Sequence, residues 1–288
     1  MPSIDTQTQF CAVIGNPVGH SLSPAIHNAA FAAANLNFVY GAFRVEDVAA
    51  CLRGMRAMEG FRGLSVTIPH KVAAMAEMDE LDPMAQRVGC INTVTNTKGV
   101  LRGSVTDGTG TLRAFREAGV SLEGRRVLFL GAGGAVRAVA FAFAMQPGIG
   151  QVSILAREPR KASALAHEVS TAAACPVGSG HLREQIEGAL ASHDIIIQGT
   201  PVGMHPHEGA MCVPAGHLRP DQIVFDMVYR PLKTAFIREA EATGCTTVLG
   251  SEMLVQQAAE QFETWTGAPA PVAVMREALL SALAPPDA

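Results

Sequence analysis

Short hydrophobic runs alternate with longer amphipathic or alanine-rich segments along most of this chain. In the first third, such runs predict strands at 10–14, 39–45 and 61–68, with a helix over 46–58. Further on, they predict strands at 127–130, 152–156, 194–198, 223–227 and 246–249. Two helices, 250–265 and 272–283, follow the last strand. Strands that alternate with helices are typical of α/β folds, so we expect two α/β units and C-terminal helices that return to the first.

A glycine-rich turn follows the run 127–130. Gly131, Gly133 and Gly134 separate this buried strand from an alanine-rich helix that starts at Ala135. This arrangement points backbone N–H groups and the positive end of a helix dipole at a phosphate, which predicts dinucleotide binding. Val136 stands where the usual G-x-G-x-x-G/A pattern has Gly or Ala. A tight turn without a ligand is the alternative interpretation.

Composition and charge limit the partners. The chain has 288 residues, is 48% hydrophobic and carries a net charge of -4, so two domains with proper cores fit and nucleic acid is not an expected partner. No apolar run approaches the ~20 residues of a membrane span, and the N-terminus lacks a basic, apolar leader. The six cysteines are scattered without a C-x-x-C pair. We therefore expect a reduced cytoplasmic protein without a metal site.

Two serines lie near the start of a predicted helix in HSLSPAIHNAAFAAA. Ser23 before Pro24 fits an N-cap, which by itself explains the Ser23 hydroxyl. Ser21 lies outside that helix, and we expect its hydroxyl not to be needed for capping. Two hydroxyls beside a helix N-terminus would suit the carboxylate of a ligand.

Lys71 and Asp107 are candidate acid/base residues. Lys71 follows the strand 61–68 in SVTIPHK, and Pro69 is expected to open the helix that carries it. The carboxyl ends of strands are where open α/β sheets bind ligands, although a solvated surface lysine is the alternative. Asp107 follows a predicted hairpin that turns at Lys98-Gly99, and taken alone it is better explained by an N-cap role than by catalysis.

Cations follow the strand 152–156. Dinucleotide sites that hold a free ribose 2′-hydroxyl usually have an acidic residue there, whereas this strand runs into Arg157, with Lys161 close behind. Cations suit a 2′-phosphate, so NADP(H) is favoured, and Glu158 leaves NAD possible.

Several motifs in order resemble the shikimate dehydrogenases and their quinate/shikimate relatives over essentially the whole chain. The matching stretches are GNPVGHSLSPAIHNAAF, GLSVTIPHK, INT, TDGTG, GAGGAVRA, DMVYRPLKT and GSEMLVQQAAEQFETWTG. The resemblance implies two α/β domains, an N-terminal substrate domain and a Rossmann-type NADP-binding domain. It also implies the reversible reduction of 3-dehydroshikimate to shikimate, within aromatic amino acid (chorismate) biosynthesis.

The resemblance also implies roles for individual residues. Lys71 and Asp107 match the catalytic lysine and its carboxylate partner. Ser21 and Ser23 match the hydroxyls that hold the substrate carboxylate. The positions that contact the ring hydroxyls are matched by Thr67, Asn92 and Gln257, and a tyrosine near the carboxylate is matched by Tyr229. The cofactor positions are matched by Gly131, Gly133, Gly134, Ala135, Arg157, Lys161, Met227 and Gly250.

Three departures from the family pattern concern the substrate and the cofactor. Ser65 replaces a common Asn, which would adjust hydrogen bonding behind the substrate, and Val105 replaces another Asn near Asp107. The N-R-T cofactor signature is Ala156-Arg157-Glu158 here. An NAD-dependent catabolic quinate/shikimate dehydrogenase and a non-catalytic nucleotide-sensing module therefore remain alternatives.

The domain boundaries follow from these motifs. We expect a substrate-binding and catalytic domain over 1–105, with 251–288 packing back on it, and a Rossmann domain over 106–250. The partner is a small-molecule substrate, shikimate or 3-dehydroshikimate, and the protein is expected to be a monomer or a homodimer.

Overall fold

The computed structural model describes residues 4–284. The chain forms two compact units. The first extends to Thr106 and resumes at Val255, and the second is Asp107–Leu254. Each unit contains one six-stranded sheet, and this confirms the predicted α/β fold class.

The elements follow one another in a largely alternating order. In chain order, up to the end of the first sheet, they are β1 (Gln9–Gly15), α1 (Ser23–Ala33), β2 (Phe38–Arg44), α2 (Val48–Arg56), β3 (Phe61–Val66), α3 (Lys71–Met75), β4 (Glu80–Leu81), α4 (Pro83–Val88), β5 (Thr93–Thr97) and β6 (Val100–Ser104). The second unit continues with α5 (Asp107–Glu117), β7 (Arg126–Leu130), α6 (Gly134–Ala144), β8 (Gln151–Ala156), α7 (Pro159–Ser170), β9 (Val177–His181), α8 (Leu182–Ser192), β10 (Ile195–Gln198), β11 (Ile223–Asp226), α9 (Ala235–Thr243) and β12 (Thr246–Leu249). Two helices end the described chain, α10 (Gly250–Thr266) and α11 (Val272–Leu283).

The first sheet mixes parallel and antiparallel pairing in the order β2-β1-β3-β5-β6-β4. β1 pairs in parallel with β2 and β3, whereas β5 runs antiparallel to β3 and to β6. Lys98 and Gly99 connect β5 to β6 with φ values of +53° and +85°. Two successive residues with positive φ make the tight turn that matches the twist of a hairpin, so the predicted hairpin is confirmed.

An aromatic cluster anchors α10 on the first sheet. Trp265 is almost fully buried, and its indole Nε1 donates a hydrogen bond to the carbonyl oxygen of Val94 at 3.1 Å. A Cβ at Gly63 would overlap the indole ring, so the absence of a side chain in β3 is what admits the tryptophan. The His27 ring stacks on Tyr40 with centroids 4.3 Å apart and lies 5.2 Å from Trp265. Burial among these rings lowers the pKa of His27 to about 3.

This buried histidine predicts a specific acid sensitivity. Between pH 6.5 and 3 the unfolded chain takes up a proton at His27 that the folded chain excludes, so stability falls as the pH falls through this range. From pH 7 to pH 5 the loss attributable to His27 is about 2 kcal/mol. His27→Phe keeps an aromatic ring against Tyr40 and removes the titration. Urea unfolding at both pH values, followed by the fluorescence of the one tryptophan, should therefore show a smaller acid-induced loss in the variant. Equal losses in both proteins would contradict the assignment.

The second sheet is entirely parallel, in the order β12-β11-β10-β7-β8-β9. The chain proceeds outward from β7 through β8 to β9, then returns to the other side of β7 with β10. Such a reversal opens a crevice at the carboxyl ends of the two central strands, where doubly wound sheets bind ligands. The central strands are buried, and their residues are mostly branched and aromatic.

The packing of α6 on this sheet explains the unusual Val136. In the glycine fingerprint, the sixth position is small because helix and strand approach closely there. Val136 is fully buried, and a Cβ at Gly199, directly after β10, would overlap its Cγ2 atom and lie 3.0 Å from Met227 Sδ. The space that Val136 takes up on the helix side is thus left free by Gly199, directly after the neighbouring strand β10.

This exchange predicts compensation between two substitutions. Gly199→Ala should destabilise the protein by about 1–3 kcal/mol because the new methyl group overlaps Val136. Val136→Ala alone leaves a cavity, but the double variant should lose less than the sum of the single losses. Thermal and denaturant unfolding of the four proteins in a double-mutant cycle measures the coupling, and strict additivity would contradict the proposed contact.

Three predicted helix starts are wrong by one or two residues. Ser23 is the first residue of α1, and the N-cap position is occupied by Leu22, whose side chain makes no capping hydrogen bond. Pro69 precedes α3, which begins at Lys71. Asp107 is likewise the first residue of α5 and not the residue before it. Ser23, Lys71 and Asp107 are thus each the first residue of a helix.

Candidate functional site

In the first unit, several predicted substrate residues lie along one edge of the sheet. The Thr67 N–H follows β3 and donates to the carbonyl oxygen of Ile14 in β1 at 2.9 Å. The carbonyl of Lys71 accepts from the N–H of Ile91 at 3.0 Å, which ties α3 to the segment that enters β5. Because β5 runs opposite to β3, its beginning lies beside the end of β3. Thr67, Lys71 and Asn92 are thereby brought to the same sheet edge.

The side chain of Asn92 is held in one orientation. Its Oδ1 atom accepts from the Thr93 hydroxyl at 2.8 Å and from the Thr106 N–H at 2.9 Å. Its Nδ2 atom donates to the Thr106 hydroxyl at 3.1 Å. Asn92 is 3% exposed, so these bonds form in a desolvated environment where a lost partner is costly.

The two serines have roles that differ from the sequence expectation. The Ser23 N–H donates to Ser21 Oγ at 3.3 Å, so Ser21, and not Ser23, satisfies a backbone donor at the start of α1. The expectation that the Ser21 hydroxyl has no part in capping is therefore wrong. As a hydroxyl, Ser21 keeps its own proton for donation while accepting this bond. Burial raises the pKa of Tyr40, and the Ser65 and Ser23 hydroxyls beside its phenol partly oppose this effect.

Helix α10 brings two glutamines toward this part of the molecule. Gln257 is half-buried, and Gln261 follows it one turn later on the same face. Gln261 Nε2 donates to Thr93 Oγ1 at 2.9 Å, and its Oε1 accepts from Ser65 Oγ at 2.8 Å. Sequence reasoning named Gln257 and missed Gln261, although the spacing of four residues was the signal that would have found it.

The remaining predicted acid/base and substrate residues belong to the second unit. Asp107 opens α5, is 4% exposed, and its carbonyl accepts from the Thr111 hydroxyl at 2.8 Å. Tyr229 follows β11, and burial raises the pKa of its phenol. Tyr229 is therefore a neutral hydroxyl at ordinary pH, able to donate and to accept.

A cavity of about 870 Å³ opens at the switch point of the second sheet. Its walls include the glycine turn after β7, the end of β8 with Arg157, Glu158 and Lys161, and the loop 199–203 after β10. Gly131 has φ +114°, a conformation that favours glycine. A Cβ at Gly133 or Gly134 would meet nothing within 4 Å, so the turn leaves open space above the first N–H groups of α6.

These features fit a dinucleotide. The N–H groups in the first turn of α6, including that of Ala135, have no partner within the helix. They form the positive end of the helix dipole. Arg157 and Lys161 provide charge at the end of β8, and Lys161 Nζ lies 2.7 Å from Glu158 Oε1. Arg183, in the first turn of α8, also lines the cavity. Sequence reasoning missed Arg183 because the weak pattern over 171–193 predicted neither β9 nor α8.

A buried polar network supports the loop that lines this cavity. The Gln198 side chain accepts from the Thr200 N–H at 2.6 Å and donates to the Val202 carbonyl at 2.9 Å. Asp226, at the end of β11, accepts from the Thr234 hydroxyl at 2.6 Å and from the Val228 N–H at 3.0 Å. Burial raises the pKa of Asp226 to about 6, although the Thr234 hydrogen bond opposes this. The network fixes the backbone around Met227, which follows Asp226 directly.

The predicted nicotinamide neighbours lie at the ends of β11 and β12. Met227 places its thioether against Gly199, and Gly250 begins α10 after β12. A Cβ at Gly250 would lie 2.7 Å from the carbonyl oxygens of Asp226 and Val228. Only glycine permits this approach, so Gly250 has a packing reason that is independent of any ligand.

Metal-binding clusters and membrane-spanning helices are both missing from the described residues. Within 4–284, His, Cys, Asp and Glu side chains form no group of three or more that would hold a metal ion. None of the helices in the described part of the chain combines the length and the apolar character that a bilayer crossing demands.

The parallel sheet with a glycine turn at its switch point defines a dinucleotide-binding α/β protein. Three family models match the chain: the shikimate dehydrogenase substrate binding domain over residues 13–94, shikimate/quinate 5-dehydrogenase over 113–218, and the shikimate 5′-dehydrogenase C-terminal domain over 250–280. An NADP(+) shikimate dehydrogenase of Moorella thermoacetica is 43% identical, covering 98% of this chain and 96% of that protein. The chain belongs to the shikimate dehydrogenase family.

Solved structures agree with this assignment. Shikimate 5-dehydrogenase of Listeria monocytogenes, in complex with shikimate and NAD, superposes with a TM-score of 0.91 at 38% identity, covering 97% of this chain and 99% of that one. The enzyme of Thermus thermophilus, in complex with NADP(H) and shikimate, has a TM-score of 0.86 at 37% identity, covering 96% of this chain and 100% of that one.

Proposed function

We propose that this protein is an NADP-dependent shikimate dehydrogenase that reversibly reduces 3-dehydroshikimate to shikimate. The observation that carries the proposal is the cavity at the switch point of the second sheet, with its glycine turn and with Arg157 and Lys161 at the end of β8. Relatives that share about two-fifths of their residues with this chain over its whole length carry the same activity in their names. When bound, NADPH supplies the hydride that reduces the ketone carbon.

Lys71 is our candidate for the acid/base group. Hydride addition to a ketone builds negative charge on its oxygen, and a cationic lysine stabilises that charge and donates the proton. In the oxidation direction a neutral Lys71 accepts the proton from the hydroxyl. We assign Asp107 the role of a carboxylate partner that orients the ammonium group. Its burial supports this role, because a buried carboxylate is costly without a polar partner.

The substrate contacts follow from the chemistry of the sheet edge. We propose that Ser21 and Ser23 donate to the substrate carboxylate, since the Ser21 oxygen accepts from the backbone and its proton is directed elsewhere. Thr67, Asn92 and Gln257 then bind the ring hydroxyls, and Tyr229 lies near the carboxylate. In this assignment the substrate domain, over 1–105 and 251–288, corresponds to the first unit, and the Rossmann domain, over 106–250, to the second, with boundaries that differ from those of the units by one to four residues. We also propose a cytoplasmic location, a monomer or a homodimer, and no nucleic-acid partner.

An NAD-dependent quinate/shikimate dehydrogenase is the second candidate. The ion pair between Glu158 and Lys161 favours it, because a carboxylate at this position can hold a free 2′-hydroxyl and partly neutralises a cation. A quinate dehydrogenase of Corynebacterium glutamicum in complex with NAD is 31% identical, with a TM-score of 0.88. Assays of both cofactors against shikimate and quinate separate the two candidates. A nucleotide sensor, the third possibility, would bind NADP(H) without oxidising shikimate.

The cofactor assignment predicts a selective loss in Arg157→Ala. Removing one charge-assisted contact to a 2′-phosphate should weaken NADP binding by about 1.5–3 kcal/mol and leave NAD binding nearly unchanged. Calorimetric titration of both cofactors measures the difference. Glu158→Gln is the matched control. It releases Lys161 from an exposed pair and should strengthen NADP binding by at most about 1 kcal/mol. Equal losses for both cofactors in Arg157→Ala would exclude a 2′-phosphate contact.

The mechanism predicts a large loss of turnover in Lys71→Ala. We expect kcat to fall by about 10²–10⁴, the usual effect of removing a positioned acid/base group, with a much smaller change in KM. Lys71→Arg should not restore activity, because arginine stays protonated and cannot cycle a proton. Steady-state shikimate oxidation across pH measures these variants, with NADP binding as the control for folding.

Asp107→Ala extends this test to the pair. It should also reduce kcat, and the double variant with Lys71→Ala should lose less than the two single losses combined. A kcat near that of the wild type in Lys71→Ala would remove the lysine from the mechanism.

A further inference from the structure

A chain of buried hydrogen bonds runs beneath the substrate edge of the first unit. Tyr40 Oη donates to Ser65 Oγ at 2.6 Å, and Ser65 Oγ donates to Gln261 Oε1 at 2.8 Å. Gln261 Nε2 donates to Thr93 Oγ1 at 2.9 Å, and Thr93 Oγ1 donates to Asn92 Oδ1 at 2.8 Å. None of the five residues is more than 7% exposed.

The direction of this chain is determined by the amide of Gln261. A hydroxyl has one proton to donate, whereas a primary amide has an acceptor at one end and donors at the other. Because Ser65 gives its proton to Gln261 Oε1, the Nε2 end faces Thr93. Thr93 accepts from that amide and therefore keeps its own proton for Asn92. Bonds that all run in one direction polarise one another and favour a single arrangement.

At the Asn92 end of this series of hydrogen bonds, a second donor also binds the amide oxygen. The Thr106 N–H donates to the same Oδ1 atom at 2.9 Å, so both lone pairs of this oxygen are used. A flip of the Asn92 amide would place its NH₂ group against the Thr106 N–H, which cannot accept, and the Thr93 hydroxyl would have to give up its donated bond. The Asn92 amide is therefore fixed with its oxygen toward Thr93 Oγ1 and the Thr106 N–H, and with its nitrogen toward the Thr106 hydroxyl, to which it donates at 3.1 Å.

We propose that Ser65, Gln261 and Thr93 form a positioning relay that makes Asn92 a hydrogen-bond donor to one ring hydroxyl of the substrate. This inference rests on the proposed function, in which Asn92 contacts that hydroxyl. The three relay residues act through Asn92 and not by contact with the substrate. The relay makes Asn92 present its NH₂ group, and not its carbonyl oxygen, to the substrate. The hydroxyl oxygen at the contacted ring position therefore accepts the bond.

The identity of Ser65 is part of this arrangement. In the family pattern an Asn is common at this position of β3, and an Asn would bring its own donor and acceptor. The serine oxygen instead accepts from Tyr40 and passes one proton on, so it needs an acceptor beyond it. Gln261 provides that acceptor from a position 196 residues later in the chain.

Thr93 offers a matched pair of variants for the test. Thr93→Val keeps the shape of the side chain and removes the hydroxyl, whereas Thr93→Ser keeps the hydroxyl. Thr93→Val should raise KM for shikimate about 3- to 10-fold, the effect of losing one net hydrogen bond, with KM for NADP unchanged. Thr93→Ser should stay close to the wild type. With the monodeoxy analogue of shikimate that lacks the contacted hydroxyl, Thr93→Val and wild type should differ little.

Gln261→Glu tests the direction of the relay and serves if Thr93→Val does not fold. A carboxylate accepts from both Ser65 and Thr93, so the Thr93 proton turns away from Asn92 and KM for shikimate should again rise. Asn92→Ala is the reference. If it raises KM while Thr93→Val and Gln261→Glu do not, the relay is wrong and the proposed function stands. If Asn92→Ala leaves KM unchanged, the substrate contact of Asn92 is wrong, and the relay with it.

Discussion

The antiparallel pairing of β5 with β3 is the constraint that brings Thr67, Lys71 and Asn92 to one edge of the first sheet. In a purely parallel sheet, the residues at the beginning of a strand lie at the opposite edge from those that follow a neighbouring strand. Here Ser65 pairs with Thr93, and the Val66 N–H donates to the Asn92 carbonyl at 2.7 Å, so the start of β5 adjoins the end of β3. Residues that follow one strand and precede another thus share one edge. Backbone hydrogen bonds bring two polar residues to this edge: Lys71 on the short helix α3, and Asn92 just before β5.

The second unit depends on a different constraint, the close approach of α6 to its sheet. The glycine turn can present its N–H groups only if the helix begins immediately after the strand and packs tightly on it. Val136 makes that approach more demanding, and the lack of a side chain at Gly199 accommodates it. The same glycine begins the loop whose backbone is held by Gln198. Helix packing and the shape of the cavity are therefore linked through one residue without a side chain.

Local patterns in the sequence predicted the strands of both sheets except β4 and β9, together with the hairpin and the glycine turn, because strand alternation and turn chemistry are properties of neighbouring residues. Helix starts were less accurate. Ser23 before Pro24 has the composition of a cap, yet Ser21 accepts the backbone hydrogen bond, since loop geometry decides which hydroxyl reaches the N–H.

Local sequence patterns could not predict hydrogen-bond partners that are far apart in the chain. The bond between Ser65 and Gln261 joins the two ends of the first unit, and no spacing rule connects them. Arg183 lines the cavity only because β9 adds to the edge of the sheet, and the polar, glycine-containing β9 carries little strand signal. The roles of Lys71 and Asp107 came from motif resemblance, since each residue alone also has an ordinary structural explanation.

The discontinuous first unit has a consequence for the order of events during synthesis. Its sheet is complete once residue 104 has been made, but Trp265, which covers Gly63, and α11, which packs on α1, come from the last part of the chain. The whole of the second unit is translated in between. Domains generally fold as units, in the order in which they leave the ribosome. Because the first unit lacks its last segment until residue 255 onward has been made, the second unit can complete its fold before the first. The part of the first sheet that Trp265 covers stays exposed until the C-terminal segment is made. Exposed hydrophobic surface makes a nascent chain prone to aggregation during that interval.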